Sequence, residues 1–150
     1  MTKNYGTLKH TVWLPYNFAV GPVFLRFYEG LKEGKILGNQ CLKCKKTLVP
    51  ARTFCPSCNV DMGDWREVSQ EGNIVSWIVA NEPFLGMPID PPFIAALIRL
   101  DGTDCSFLHL VGGFDTDTLN KKIKKGTRVR AHWRTEKKGH LMDIQYFKPK

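Results

Sequence analysis

The sequence predicts a mainly β protein in which one N-terminal helix leads into a small four-cysteine ribbon and then a five-stranded barrel. Three observations predict it. Cys41, Cys44, Cys55 and Cys58 form two Cys-x-x-Cys pairs separated by ten residues. Before them, Val23, Phe24, Phe27, Tyr28 and Leu31 recur along one face of a helix. After them come three runs rich in β-branched and aromatic residues, a short helical stretch, and two more such runs.

Taking the elements in order, residues 1–20 mix aromatic and polar residues without a period and read as an extended arm. Pro22 suits the first turn of a helix, and Gly34 suits its stop. The apolar face between them is large for about three turns of helix. It packs either on this chain's own barrel or on a partner, and Phe24, Phe27 and Tyr28 have the composition of an interface anchor. Ile36 to Gln40 read as a strand entering the first cysteine pair, and Thr47 to Pro50 as the chain leaving it. Trp65 to Val68 start a further strand. The barrel runs follow: Ile74–Val79, Phe93–Leu100 and Ser106–Val111, with Asp101-Gly102 as the turn between the second and third. Thr118, Leu119 and Ile123 mark a short helix closed by Gly126. Arg128–Arg134 alternates, with Val129, Ala131 and Trp133 on one side and arginines and His132 on the other. A Lys137-Lys138-Gly139 turn precedes the last strand, Leu141–Phe147. Three strands, a helix and two strands are the order of the oligonucleotide/oligosaccharide-binding (OB) barrel. The expected divisions are an arm and helix over 1–35, a ribbon over 36–64 and an OB-fold domain over 65–150.

The cysteine spacing carries the sharpest chemistry. Two residues between cysteines let both thiolates face one tetrahedral ion, and two such knuckles close a four-sulfur shell. Zn²⁺ suits that shell, and a shell with no open position is structural. Asn59 after the second knuckle can take the left-handed conformation such turns need, whereas Lys45 stands where glycine is easier. Two disulfides or a redox dithiol are the alternatives. Against them, the N-terminus shows no positively charged start followed by an apolar stretch, and no strand–helix context surrounds the pairs. No apolar run is long enough to span a bilayer, so a cytoplasmic location is the expectation. Cys105 is left as a lone thiol, expected to be a small strand residue.

Net charge is +8 at pH 7, unevenly spread. Residues 1–60 hold nine Lys/Arg against two acids, 61–120 two against ten, and 121–150 eleven against two. Two basic segments around an acidic centre suggest contact with phosphate or polyanion at particular faces, or lysines that keep the surface soluble. No activated nucleophile is visible. His10, His109, His132 and His140 form no base motif, and His109 and His132 occupy strand positions of packed or surface residues.

The stretch from Phe27 to Leu37, the cysteines Cys41, Cys44, Cys55-Pro56 and Cys58, then Trp65, Val68, Gly72, Ile74 and Ser76, and Gly126-Thr127-Arg128-Val129, taken in that order, resemble the acyl-CoA-associated zinc-ribbon/OB-fold family. Its members accompany thiolases and related condensing enzymes. The resemblance covers roughly residues 24–135, with a rubredoxin-like ribbon. Lys45 and Asn59 depart from a pattern that often has glycine there. The resemblance implies one structural Zn²⁺ on Cys41, Cys44, Cys55 and Cys58. It also implies a non-catalytic accessory subunit of a hetero-oligomeric acyltransferase complex, docked on a thiolase-type catalytic subunit and helping to enclose coenzyme A. Within the family the chain is similar to small subunits that serve a thiolase of anaerobic aromatic degradation. Candidate contacts for the coenzyme A phosphates and adenine are Arg52 beside Phe54, Arg99, and the Lys121, Lys122, Lys124 and Lys125 cluster. Phe84, Leu85, Gly86 and Met87, in the proline-rich loop 81–92, read as a lid, as a docking surface or as merely a long loop. A single-stranded nucleic-acid module fits the zinc ribbon, the OB barrel and a pI near 9.4 on physical grounds alone. Against it, the barrel's first three strands lie in the acidic segment.

Overall fold

The computed structural model describes residues 6–10, 14–83 and 89–150. Helix α1 spans Pro22–Lys32, with proline in its first turn and Lys32 in its last, where a cation meets the negative end of the helix dipole. Gly34 follows at φ 76°, a left-handed conformation that ends the helix. The inner face of α1 buries Phe27, Gly30 and Leu31, and Phe27 and Leu31 join the main core with Ile36, Val49 and Val68.

The ribbon is a three-stranded antiparallel sheet ordered β2-β1-β3, from β1 (Leu37–Cys41), β2 (Thr47–Leu48) and β3 (Met62–Glu67). The strand expected from Trp65 therefore pairs with the ribbon, not the barrel: Asn39 opposes Trp65 and Leu37 opposes Glu67. The barrel is closed in the order β4-β5-β6-β8-β7, from β4 (Glu71–Ala80), β5 (Phe93–Leu100), β6 (Phe107–Val111), β7 (Arg128–Trp133) and β8 (Ile144–Pro149). Closure needs β4 beside β7, and a single parallel pairing of Val111 with Phe147 joins β6 to β8. Ile74, Ile94, Ile98, Leu100, Val129, Ile144 and Phe147 fill the interior, each essentially buried. Helix α2 (Thr116–Lys122), capped by the Asp115 carboxylate accepting from the Thr118 N–H, contributes buried Leu119 to the core.

One sequence expectation shifts. Leu141 to Asp143 form a 3₁₀ turn, and the last strand begins only at Ile144. Asp143 explains it. Its buried carboxylate accepts N–H bonds from Lys138, Gly139 and His140 at 2.7–3.1 Å, folding residues 138–143 around one side chain. Burial alone would raise its pKa, but those three donors hold it below the ordinary carboxylate value.

Ribbon, helix and barrel are tied by polar contacts as well as by the core. Asp104 in the β5–β6 turn accepts from the Thr47 N–H at 2.8 Å and returns its own N–H to the Thr47 carbonyl at 2.9 Å. The Gln70 side chain donates to the Gly34 carbonyl at the end of α1 and accepts from the Trp133 indole on β7, both within 3.0 Å. The Arg26 guanidinium lies 4.6 Å from the centre of the Trp65 ring, fixing α1 to β3.

Candidate metal centre and ligand contacts

Each cysteine pair sits on a tight turn. Lys45 and Asn59 adopt φ of 61° and 51°, so both knuckles turn through a left-handed residue. The N–H of Lys45 bonds the Cys41 carbonyl at 3.0 Å, and the N–H of Asn59 bonds the Cys55 carbonyl at 2.9 Å. These matching turns bring the four Sγ atoms within 4.8 Å of one another, with Cys44 and Cys55 only 3.8 Å apart. A tetrahedral Zn²⁺ with bonds of about 2.3 Å sets its sulfurs about 3.8 Å apart. The donor set and its spacing therefore fit zinc, and the four cysteines form a zinc-binding ribbon. Zinc held there supplies cross-linking and no open coordination position.

Protonation points the same way. Cys41 is pulled down to about 6 by the Cys44 backbone N–H, while Cys58 is pushed up to about 12 by its hydrogen bond with the Cys44 sulfur. The crowded sulfurs ionise together only when a cation offsets their repulsion, so metal uptake releases protons. Asn39 braces the ribbon from behind. Buried on β1, it donates to the Arg52 carbonyl at 2.6 Å and accepts from the Arg52 N–H at 3.1 Å. That buried asparagine belongs to no motif, and nothing in the spacing or composition around it signals its role.

The candidate coenzyme A contacts are dispersed. Arg52 and Phe54 lie exposed on the ribbon hairpin, where Phe54 bridges Asp61. Arg99 points outward from β5 opposite Asn73, whose other neighbour is Arg128 on β7. No hydrogen bond or ion pair joins Arg99 to Arg52 or Phe54 among the described residues. Lys122 caps the Phe114 ring at 4.2 Å. Phe84, Leu85, Gly86 and Met87, expected as a lid or docking loop, lie outside the described residues.

Two residues without a motif acquire places. The Cys105 thiol accepts from the Val49 N–H at 3.0 Å and donates to the Val49 carbonyl at 3.2 Å, joining barrel to ribbon. His109 is buried. Its Nδ1 accepts from the Leu110 N–H and its Nε2 lies 3.0 Å from the Leu141 carbonyl, which makes Nε2 the protonated nitrogen. Burial lowers its pKa, so it stays neutral.

The helix face expected as a partner anchor is divided. Phe27 is 1% exposed and so is not free for a partner, whereas Tyr28 packs against the core with only part of its surface. What remains exposed is Phe24 and Leu25, continuing a preceding extended strip of Leu14, Tyr16, Phe18 and Val20. Charge is redistributed too. Closure of β4 on β7 brings Glu71 to Lys150 at 2.6 Å and Arg128 at 3.1 Å, and Arg128 also pairs with Asp101 at 2.7 Å. Part of the acidic centre is thus neutralised by the basic C-terminal segment.

A closed four-thiolate ribbon followed by an OB barrel defines a zinc-ribbon/OB-fold protein. The rubredoxin-like zinc ribbon domain described for ChsH2 matches residues 29–61, and the C-terminal OB-fold domain of ChsH2 matches residues 65–134. With both domains present in that order, the chain belongs to the ChsH2-type zinc-ribbon/OB-fold family, also termed DUF35. It is similar to a probable enoyl-CoA hydratase alpha subunit of Thermomonospora curvata, 27% identical over 71% of this chain, and spans 32% of that protein's length. It is also 25% identical to a DUF35 domain-containing scaffold protein of Pyrococcus furiosus, over 69% of this chain and 73% of the relative. Among solved structures, a chain of the Ltp2–ChsH2(DUF35) aldolase superposes with a TM-score of 0.64 and 26% identity, covering 89% of this chain and 98% of the other. A DUF35-family protein of unknown function from Sulfolobus solfataricus has a TM-score of 0.63 at 24% identity, with 87% of each chain covered, and shares the fold.

Proposed function

We propose that this chain is a non-catalytic accessory subunit of a thiolase-type acyl-CoA complex. It docks on a catalytic subunit and helps to enclose coenzyme A. The observation that carries the reading is the exposed apolar strip from Leu14 to Leu25, set beside a ribbon whose four cysteines are committed to metal. Tyr16, Phe18 and Phe24 are the kind of side chains that dominate interfaces, and their exposure is otherwise unfavourable. The candidate nucleophile and base are engaged structurally: Cys105 with Val49, and His109 with Leu110 and Leu141. The relatives named as an enoyl-CoA hydratase subunit, a scaffold protein and a component of an aldolase support a catalytic partner, and the first of them supports acyl-CoA chemistry.

In the finer form of the proposal, the partner is a thiolase and the complex works in the cytoplasm. The reaction served is thiolytic cleavage of benzoylsuccinyl-CoA in anaerobic aromatic degradation. Arg52, Phe54 and Arg99 are proposed to reach the coenzyme A held between the subunits.

The test is co-isolation with the catalytic partner. Phe18→Ala with Phe24→Ala should weaken retention by about 2 kcal/mol or more while zinc content and barrel folding stay intact. Unchanged retention by the double variant would overturn the docking surface. Activity of the complex on benzoylsuccinyl-CoA, compared with other acyl-CoA thioesters, decides the finer form.

A further inference from the structure

The four cysteines of the ribbon are not equally shielded. Cys41 and Cys55 are 0% and 1% exposed, whereas Cys44 and Cys58, the second residue of each pair, are half-buried and reach the surface. Their surroundings also differ. Cys44 is flanked in the chain by exposed Lys43, Lys45 and Lys46, and Cys58 by exposed Ser57 and Asn59. A half-exposed sulfur among cations is the setting in which cysteines react with oxidants, because ammonium groups favour both the thiolate and the hydroxide that leaves a peroxide. Cys105 is half-buried too, but it lies next to Asp104 and its thiol is engaged by Val49.

The fold sets the partner of a reacting Cys44. Its sulfur lies 3.8 Å from that of Cys55, across the gap between the two turns. Each turn already closes on its own backbone bond, Lys45 N–H on the Cys41 carbonyl and Asn59 N–H on the Cys55 carbonyl. A disulfide within one turn would therefore add nothing between the turns, whereas a link from Cys44 to Cys55 joins turn to turn, as a metal does. The approach of the two turns does not rest on the sulfurs alone. Buried Asn39, two residues before Cys41, bonds both the N–H and the carbonyl of Arg52, three residues before Cys55.

We propose that Cys44 is a peroxide-sensitive thiol with Cys55 as its resolving partner, so that a hydroperoxide converts the metal-held ribbon into a disulfide-held one. The Cys44 sulfur attacks the peroxide, the S–O bond forms as the O–O bond breaks, and hydroxide leaves a sulfenic acid behind. The Cys55 thiolate then attacks that sulfur, forming the S–S bond and expelling a second hydroxide. Two thiolates lose two electrons to the peroxide, and the hydroxides take two protons from solvent to become water. Two of the four donors are then spent, and the pair that remains, Cys41 and Cys58, no longer closes a metal shell. The ribbon gives up its ion yet keeps its two turns tied, which makes the change reversible by a dithiol. The site is independent of the accessory role, since it needs only this chain and an oxidant.

The direct probe is one equivalent of hydrogen peroxide added to the full-length, zinc-loaded chain with a chromogenic zinc chelator, followed by alkylation and peptide mass spectrometry. One zinc per chain should be released, with Cys44 joined to Cys55 and with Cys41, Cys58 and Cys105 alkylated. Dithiothreitol with added zinc should restore the starting content. The Lys45 and Asn59 amide protons should stay protected from exchange in the oxidised chain. Lys43→Gln/Lys46→Gln keeps all four ligands and should slow zinc release about threefold, the scale of exposed charges. Cys105→Ser should release zinc at the unsubstituted rate. Disulfides confined to one turn, Cys41 with Cys44 or Cys55 with Cys58, overturn the assignment. So do first oxidation at Cys58 or Cys105, release that a dithiol does not reverse, zinc retained against the peroxide, and an unchanged rate in the lysine variant.

Discussion

Cys105 shows how one side chain's role depends on its neighbours. In the sequence it is a thiol left over from the metal set. In the fold its sulfur stands between the N–H and the carbonyl of Val49 and satisfies both. Replacing it by valine leaves those two groups unmet, and the expected loss is about 1–3 kcal/mol of stability in denaturant melts. Cys105→Ser, which keeps a donor and an acceptor, should recover most of that. The metal ligands behave differently. Cys55→Ser should cost the ribbon its zinc and its local fold together, because binding and folding are coupled in so small a unit. Elemental analysis should fall from one zinc per chain towards none, while the barrel's core signals persist. A variant that kept full zinc would contradict the four-thiolate shell. Lys45, at φ 61°, is a strained residue in the first knuckle. Lys45→Gly should therefore be neutral or stabilising, by less than about 1 kcal/mol.

At the scale of the element, helix α1 divides its aromatic residues between a buried face and an exposed one. Phe27 is enclosed by this chain, so Phe27→Ala should destabilise the isolated protein by about 3–5 kcal/mol through the cavity it leaves. Phe24→Ala, at an exposed position, should barely move stability and act on partner retention instead. Periodicity in the sequence made the helix and its apolar face legible. It could not divide that face, because both halves are apolar and only the packing of β1, β3 and the barrel decides which half is covered. The same limit explains β3. Trp65 to Glu67 have strand composition, but composition does not say whether the partner strand is β1 or β4. The metal ligands were fully legible, since Cys-x-x-Cys spacing is local chemistry. Asn39 and Asp143 were not, because each depends on register or loop contacts between residues apart in the sequence.

For the molecule as a whole, the barrel joins charges that the sequence keeps apart, and its stability should depend on pH accordingly. His109 is buried neutral with its pKa lowered from 6.5, so below about pH 6.5 the unfolded chain binds the extra proton first. Stability should therefore be fully present above 6.5 and fall with acid until the depressed folded pKa is reached. His109→Gln should be less stable overall but lack that slope. A second decline belongs to Glu71 and Asp101. The Lys150 ammonium beside Glu71 and the Arg128 guanidinium beside Asp101 hold both carboxyls below their usual values, so their contribution is present above about pH 4.5 and fades as pH drops through the lowered values. Chemical melts from pH 7.5 to 3.5 check both. Among the described residues no helix is long and apolar enough to cross a membrane. The decisive measurement is reconstitution: the purified chain, its catalytic partner, and the two together, assayed for acyl-CoA bond formation or cleavage at equal zinc content. The chain alone should be inactive, the partner alone impaired, and the mixture restored, with restoration lost on Phe18→Ala/Phe24→Ala. An active isolated chain, or a partner whose turnover is indifferent to it, would contradict the accessory role.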